Sequence, residues 1–216
     1  MVKTFEKWRI DEVIDTFGLK RIYDVNFAPL AEWLKANYPV SELEKSQIEA
    51  LKSELQINAE YWNEDELKFF FLSPFLTVVN LRSPYYKIFT QRPISAEVKG
   101  IKMNGIVDLV LAKGEAAPKK PFFFIHEYKQ EQKGNNDPIA QLITAMLVAQ
   151  VQNENDMPVY GCYVMGRFWF FVVLYGNEYA VSDAYTATQD DIFQIVSILR
   201  AVKVKIEERI KAEKEQ

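Results

Sequence analysis

Gly105-Ile-Val-Asp108-Leu-Val-Leu111, followed by Phe122-Phe-Phe-Ile-His-Glu-Tyr-Lys129, is the stretch on which the reading of this chain turns. Both segments are apolar enough to be strands, and the second is apolar on both faces at its start, as a central strand is. Asp108 interrupts the first. A carboxylate buried alone there is costly unless it meets a cation or several hydrogen-bond donors. Glu127 and Lys129 lie two apart, so strand periodicity puts them on one face and His126 and Tyr128 on the other. If the two strands pair as a hairpin, Asp108, Glu127 and Lys129 converge. Two carboxylates bind Mg²⁺ through oxygen and leave coordination positions for water and a phosphate. A lysine beside them orients that water or offsets transition-state charge. The plainer alternative makes Glu127 and Lys129 an edge ion pair and Asp108 a turn or cap partner.

The flanking sequence supplies helices. Residues 1–28 are poorly periodic, with a short helix expected around 7–17. Over 29–59, Leu30, Leu34, Leu43, Ile48, Leu51 and Leu55 recur at helical spacing. This predicts two helices broken near Tyr38-Pro39, with Ser41 as N-cap. Asn63 and Glu66 fit a capping box, followed by Leu67, Phe71, Phe75 and Val78 on one face. Strands are expected over 95–103, 105–111 and 122–128, the last two joined by Lys-Gly-Glu-Ala-Ala-Pro-Lys-Lys. Asp137-Pro138 starts a helix that is apolar nearly all round and therefore buried. Strands follow over 159–164 and 168–174, then a helix over 189–214. The order predicts an α/β fold, a mixed central sheet flanked by helices, with an N-terminal helical extension. The domain reading is a helical region over 1–62, an α/β core over 63–188 and a C-terminal helix over 189–216.

Composition narrows the chemistry. The chain has 216 residues, 49% hydrophobic and 26% charged. It carries one cysteine and one histidine, which excludes an intramolecular disulfide and multi-histidine or cysteine-rich metal centres. No Gly-rich loop precedes a helix, so nucleotide-triphosphate and dinucleotide sites have no support. The longest apolar stretch, 168–175, is too short to span a membrane, and no secretory signal is visible. The expected compartment is the cytoplasm. Net charge is −4, but eight acidic and three basic residues over 41–68 contrast with ten basic and five acidic over 69–136. A basic middle in an acidic protein reads as a local polyanion footprint or as ordinary surface lysines.

Asp108 followed by Glu127-Tyr-Lys129, with helix, three strands, helix and strand around them, resembles the PD-(D/E)XK nuclease superfamily over roughly half the chain. The resemblance implies a restriction-endonuclease-like core, with Asp108 and Glu127 as ligands of one divalent cation, Mg²⁺ or Mn²⁺, and Lys129 as the catalytic lysine. The proline often seen before the aspartate is replaced by Val107. Relatives often place a glutamine early in the following helix, which falls on Gln141, with a tyrosine four residues later where this chain has Ala145. They often add a glutamate from the preceding helix, for which Glu64 is the candidate. The Tyr128 carbonyl is expected to help hold the metal. The plainer alternatives make Gln141 an exposed first-turn amide and Glu64 a surface charge.

The activity implied is metal-dependent hydrolysis of phosphodiester bonds in nucleic acid, foremost DNA. The alternative is a catalytically inactive nuclease-fold module that binds nucleic acid or a protein partner. The phosphate backbone is expected near Lys129, along basic residues from Arg82 to Lys133 and away from the acidic helices. Missing surface would come from a homodimer or a larger partner through the N-terminal helices. His126 and Cys162 are expected to be core, and the run Phe168-Trp-Phe-Phe core and edge packing.

Overall fold

A computed structural model of the chain describes residues 2–24, 27–131 and 137–214. Lys133, the far end of the expected basic track, lies outside them. The fold is α/β, with one mixed sheet between two helical layers, and nine strands among the described residues.

The chain enters the sheet at once. Strand β1 (Val2–Thr4) leads through a 3₁₀ turn (Phe5–Lys7) to α1 (Ile10–Phe17) and β2 (Lys20–Ile22). Strand β1 pairs parallel with 102–104, and β2 pairs parallel with 178–180. The expected helical extension over 1–62 is therefore corrected in part: its first 22 residues add two strands to the sheet. These strands are three residues each, too short for an alternating pattern to register.

Helices α2 (Ala28–Leu34) and α3 (Glu42–Asn58) follow, broken at Tyr38-Pro39 as expected. Ser41 caps α3 in a reciprocal box with Glu44. Trp33 is fully buried against Phe124, Phe171 and Tyr160, and its indole N–H donates to the Ile198 carbonyl. The helices of the N-terminal region thus spend their main apolar faces inside the chain.

Asn63 and Glu66 form the expected capping box, opening α4 (Glu64–Glu66). The helix then widens into a π-helical stretch (Leu67–Leu72) before resuming as α5 (Ser73–Val79). A π turn has poorer hydrogen bonds than an α turn. Phe71 within it and Phe75 beyond it are fully buried, stacked on each other, and burial of each contributes about 1.5–3 kcal/mol, which outweighs that loss.

Strands β3 (Lys87–Val98), β4 (Ile101–Lys113) and β5 (Lys119–Lys129) form an antiparallel meander. The expected strand over 95–103 is corrected, because it spans a hairpin turn. Lys99 and Gly100 both take positive φ, 48° and 77°, as a two-residue turn matching the strand twist requires. Helix α6 (Pro138–Asn153) then crosses to β6 (Val159–Met165), which lies parallel to β5. Asp137 caps α6 at the Ala140 amide and also accepts from the Ile10 amide, tying α1 to the start of α6. A Cβ on Gly161 of β6 would lie 2.9 Å from Met146 Sδ, so the missing side chain lets α6 lie close on the sheet. Strands β7 (Phe168–Tyr175), β8 (Glu178–Val181) and β9 (Tyr185–Thr186) and helix α7 (Asp191–Lys214) complete the chain.

One apolar core lies between the sheet and α2, α3, α5 and α7; the other lies between the opposite face and α1 and α6. His126, Cys162, Trp169 and Phe171 are all buried, as expected. No helix among the described residues is long and apolar enough to cross a membrane.

Candidate active site

Strand β4 has a divided edge. Strand β1 pairs with it at 102–104 and β5 at 109–113, so residues 105–108 lie between two partners. The β4–β5 ladder ends at Leu109 opposite His126, and beyond it the strands form a fork. Asp108 stands at its apex. Its buried carboxylate accepts the Tyr128 amide at 2.8 Å through Oδ2. Oδ1 accepts from Lys68 Nζ at 2.7 Å and Gln91 Nε2 at 2.6 Å. The cost of burying this carboxylate is met by three donors, one of them charged.

Glu127 is equally buried, and Lys129 Nζ donates to its Oε1 at 2.9 Å. Glu64 joins both halves. It accepts from Lys68 at 2.6 Å, and its other oxygen lies 3.6 Å from Lys129. Asp108, Glu127, Lys129 and Glu64 are thus brought, with Lys68, into one cluster of three carboxylates and two ammonium groups. Tyr128 belongs to it through its amide; its hydroxyl turns away to His126 Nδ1, 3.0 Å distant. Burial pushes His126 down to about 3, so it is neutral and structural.

Gln141 sits in the first turn of α6, 3% exposed, and neither its amide oxygen nor its nitrogen has a hydrogen-bond partner. It is therefore not an exposed first-turn amide. It lines a cavity of about 310 Å³ together with Glu127 and Asn104, whose Oδ1 is also unpartnered. A buried amide left unsatisfied at both ends costs about 1–3 kcal/mol for each group. An oxygen-bearing guest in this cavity would satisfy both.

Sequence reasoning missed Lys68 and Gln91. Lys68 had a signal: it lies four residues after Glu64, the spacing of a helical ion pair. Gln91 had none. It occupies the left-handed region at φ 51° and drops out of an otherwise regular β3–β4 ladder, aiming its amide at Asp108. Backbone strain of about 1–3 kcal/mol is retained there.

Charge is finely set. Burial, and then the Asp108 charge, push Glu127 up to about 7, with Lys129 only partly opposing them. Burial opposes the charge on Lys68 and Lys129, but their carboxylate neighbours outweigh it and raise both. The folded state therefore holds the Glu127 proton more tightly than the unfolded chain. Its stabilising contribution is complete below pH 4.5 and is lost as pH rises through 7. In metal-free buffer this residue costs the fold about 3 kcal/mol across that window. Urea denaturation at several pH values should show that loss in the wild type and a flatter profile in Glu127→Gln.

The donor set, three carboxylates, fits a hard cation such as Mg²⁺ or Mn²⁺. As arranged, each carboxylate faces an ammonium group, and no group of three or more Asp, Glu, His or Cys side chains converges on one point among the described residues. Binding a cation requires the lysines to yield part of that space. Comparison with known protein families and with curated proteins finds no match for the chain.

Proposed function

We propose that the chain is a metal-dependent nuclease with a PD-(D/E)XK, restriction-endonuclease-like core, hydrolysing phosphodiester bonds in nucleic acid, foremost DNA. The observation that carries this reading is the fork, which gathers Asp108, Glu127 and Lys129 where two strands part, with Glu64 joining from the preceding helix. The order of elements from α4 to β6 agrees with it.

Asp108 and Glu127, with the Tyr128 carbonyl, would hold the cation, and Glu64 would complete the acidic shell. A bound Mg²⁺ or Mn²⁺ supplies acidity to water and neutralises charge on the phosphoryl oxygens. Lys129 is held beside Glu127, where its ammonium can orient the attacking water or offset charge on the phosphate. Lys68 holds Asp108 in place. Gln141 offers a donor and an acceptor to a water in the cavity it shares with Glu127. A second copy or a larger partner would supply the phosphate contacts that a chain of net charge −4 lacks, and such binding weakens steeply with salt.

One observation favours the second reading, a non-catalytic nuclease-fold module: the lysines already compensate the buried carboxylates. Calorimetry with Mn²⁺ separates the two. The nuclease reading expects one site in the wild type and at least about a tenfold loss of affinity in Asp108→Ala. Equal binding by both proteins, with no cleavage of plasmid, single-stranded or branched DNA or of RNA, would leave the non-catalytic reading.

A further inference from the structure

A second cavity, of about 400 Å³, lies between α5 and β3 and opens on the opposite side of Asp108 from the Gln141 cavity. Leu76, Ile88 and Leu109 form its apolar walls, and Asn80 and Thr90 add polar groups. Lys68, Gln91 and Asp108 line it where it meets the acid–lysine cluster, and the exposed Arg82 also borders it. Its size lies at the lower end for small-ligand pockets, and although polar residues outnumber apolar ones around it, the surface it exposes is mostly apolar, as in such pockets.

A phosphate or a sugar gains nothing from leucine and isoleucine walls. A nucleobase does, because it has two apolar faces and a polar edge. In a duplex that base is stacked and paired, and it cannot enter a cavity of this kind without leaving the helix. We infer that this cavity takes an unpaired nucleobase adjoining the phosphate held at the fork, so that the substrate is single-stranded nucleic acid or a nucleotide extruded from a duplex. The inference rests on the nuclease reading only in taking the Asp108–Glu127 fork as the phosphate end. Arg82 is placed to meet a neighbouring phosphate of the same strand, on the side away from the acidic first turn of α4.

The test measures binding and cleavage separately. Fluorescence anisotropy in EDTA and in Ca²⁺ compares a labelled single strand, the same strand fully paired, a duplex with one unpaired nucleotide, and a strand of abasic residues. Wild type should bind the single strand about tenfold more tightly than the fully paired or abasic strand, the gain expected from burying one base. The duplex with one unpaired nucleotide should match the single strand if extruded bases are accepted, and the paired duplex if only free strands are. Leu76→Trp fills the cavity and should erase the tenfold preference without changing abasic-strand binding. Ile88→Trp does the same from a position 38% exposed, where the fold tolerates the change. Equal affinity for normal and abasic strands, no binding to any of them, or indifference to both tryptophans overturns the inference. Cleavage with Mn²⁺ that ignores base pairing and Ile88→Trp overturns it too, while leaving the nuclease reading intact. Base-dependent binding without cleavage supports it and passes the function to the non-catalytic module.

Discussion

Asp108→Ala should lower folding stability by about 3 kcal/mol, the largest single-residue effect at the fork. The carboxylate serves three donors at once, and each is left differently by the truncation. The Tyr128 amide is buried where the ladder has ended and has no strand partner across the fork to turn to. Lys68 keeps Glu64 but loses its more buried partner. Gln91 loses the side-chain hydrogen bond that accompanies its left-handed backbone. Asp108→Asn preserves the shape and an acceptor for the Tyr128 amide, so it should recover about half of the loss. Both variants also remove a negative charge that raises Glu127, whose titration should move down from about 7. Urea denaturation measures the first effect and carboxyl-resolved NMR titration the second. A stability within 1 kcal/mol of wild type would mean that the fork is held by the surrounding cores alone.

Lys129→Ala should reduce metal-dependent cleavage by about 10²–10³-fold while leaving the fold and most of the Mn²⁺ affinity in place. The lysine is not an oxygen donor, so its removal takes nothing from the cation. It frees Glu127 from its ammonium partner but also removes a charge that lowers its proton affinity, so the two effects on metal binding oppose each other. Single-turnover cleavage paired with calorimetry reads the two quantities on the same protein. A rate within tenfold of wild type would reduce Glu127 and Lys129 to the edge ion pair that their spacing alone also allows.

Much of this arrangement is legible in the sequence because it rests on periodicity and local hydrogen bonding. The Ser41 N-cap, the capping box at Asn63, the Asp137-Pro138 start of α6 and the i, i+2 relation of Glu127 to Lys129 are all local. So is the placement of His126 away from the carboxylates. What escaped reading is non-local or conformational. Strands β1 and β2 are too short to carry a pattern, and they are defined only by the partners they meet across the sheet. The Lys99-Gly100 turn falls inside a stretch of alternating residues, and a lysine at positive φ gives no compositional cue. Gln91 is invisible for the same reason. The burial of Gln141 follows from how closely α6 approaches the sheet at Gly161, a tertiary fact, whereas its helical position was plain.

The widened turn at Leu67–Leu72 has a consequence for where a single helix can send its side chains. In an uninterrupted α-helix each residue is rotated about 100° from the last, so the direction of Glu64 and Lys68 would be rigidly tied to that of Phe75 and Val79. One extra residue in the turn resets that relation by a fixed rotation. Glu64 and Lys68 then meet Lys129 and Asp108 while Phe71 and Phe75 still face the core. Deleting one residue to restore a plain α-turn would set the charged and apolar side chains against each other for direction.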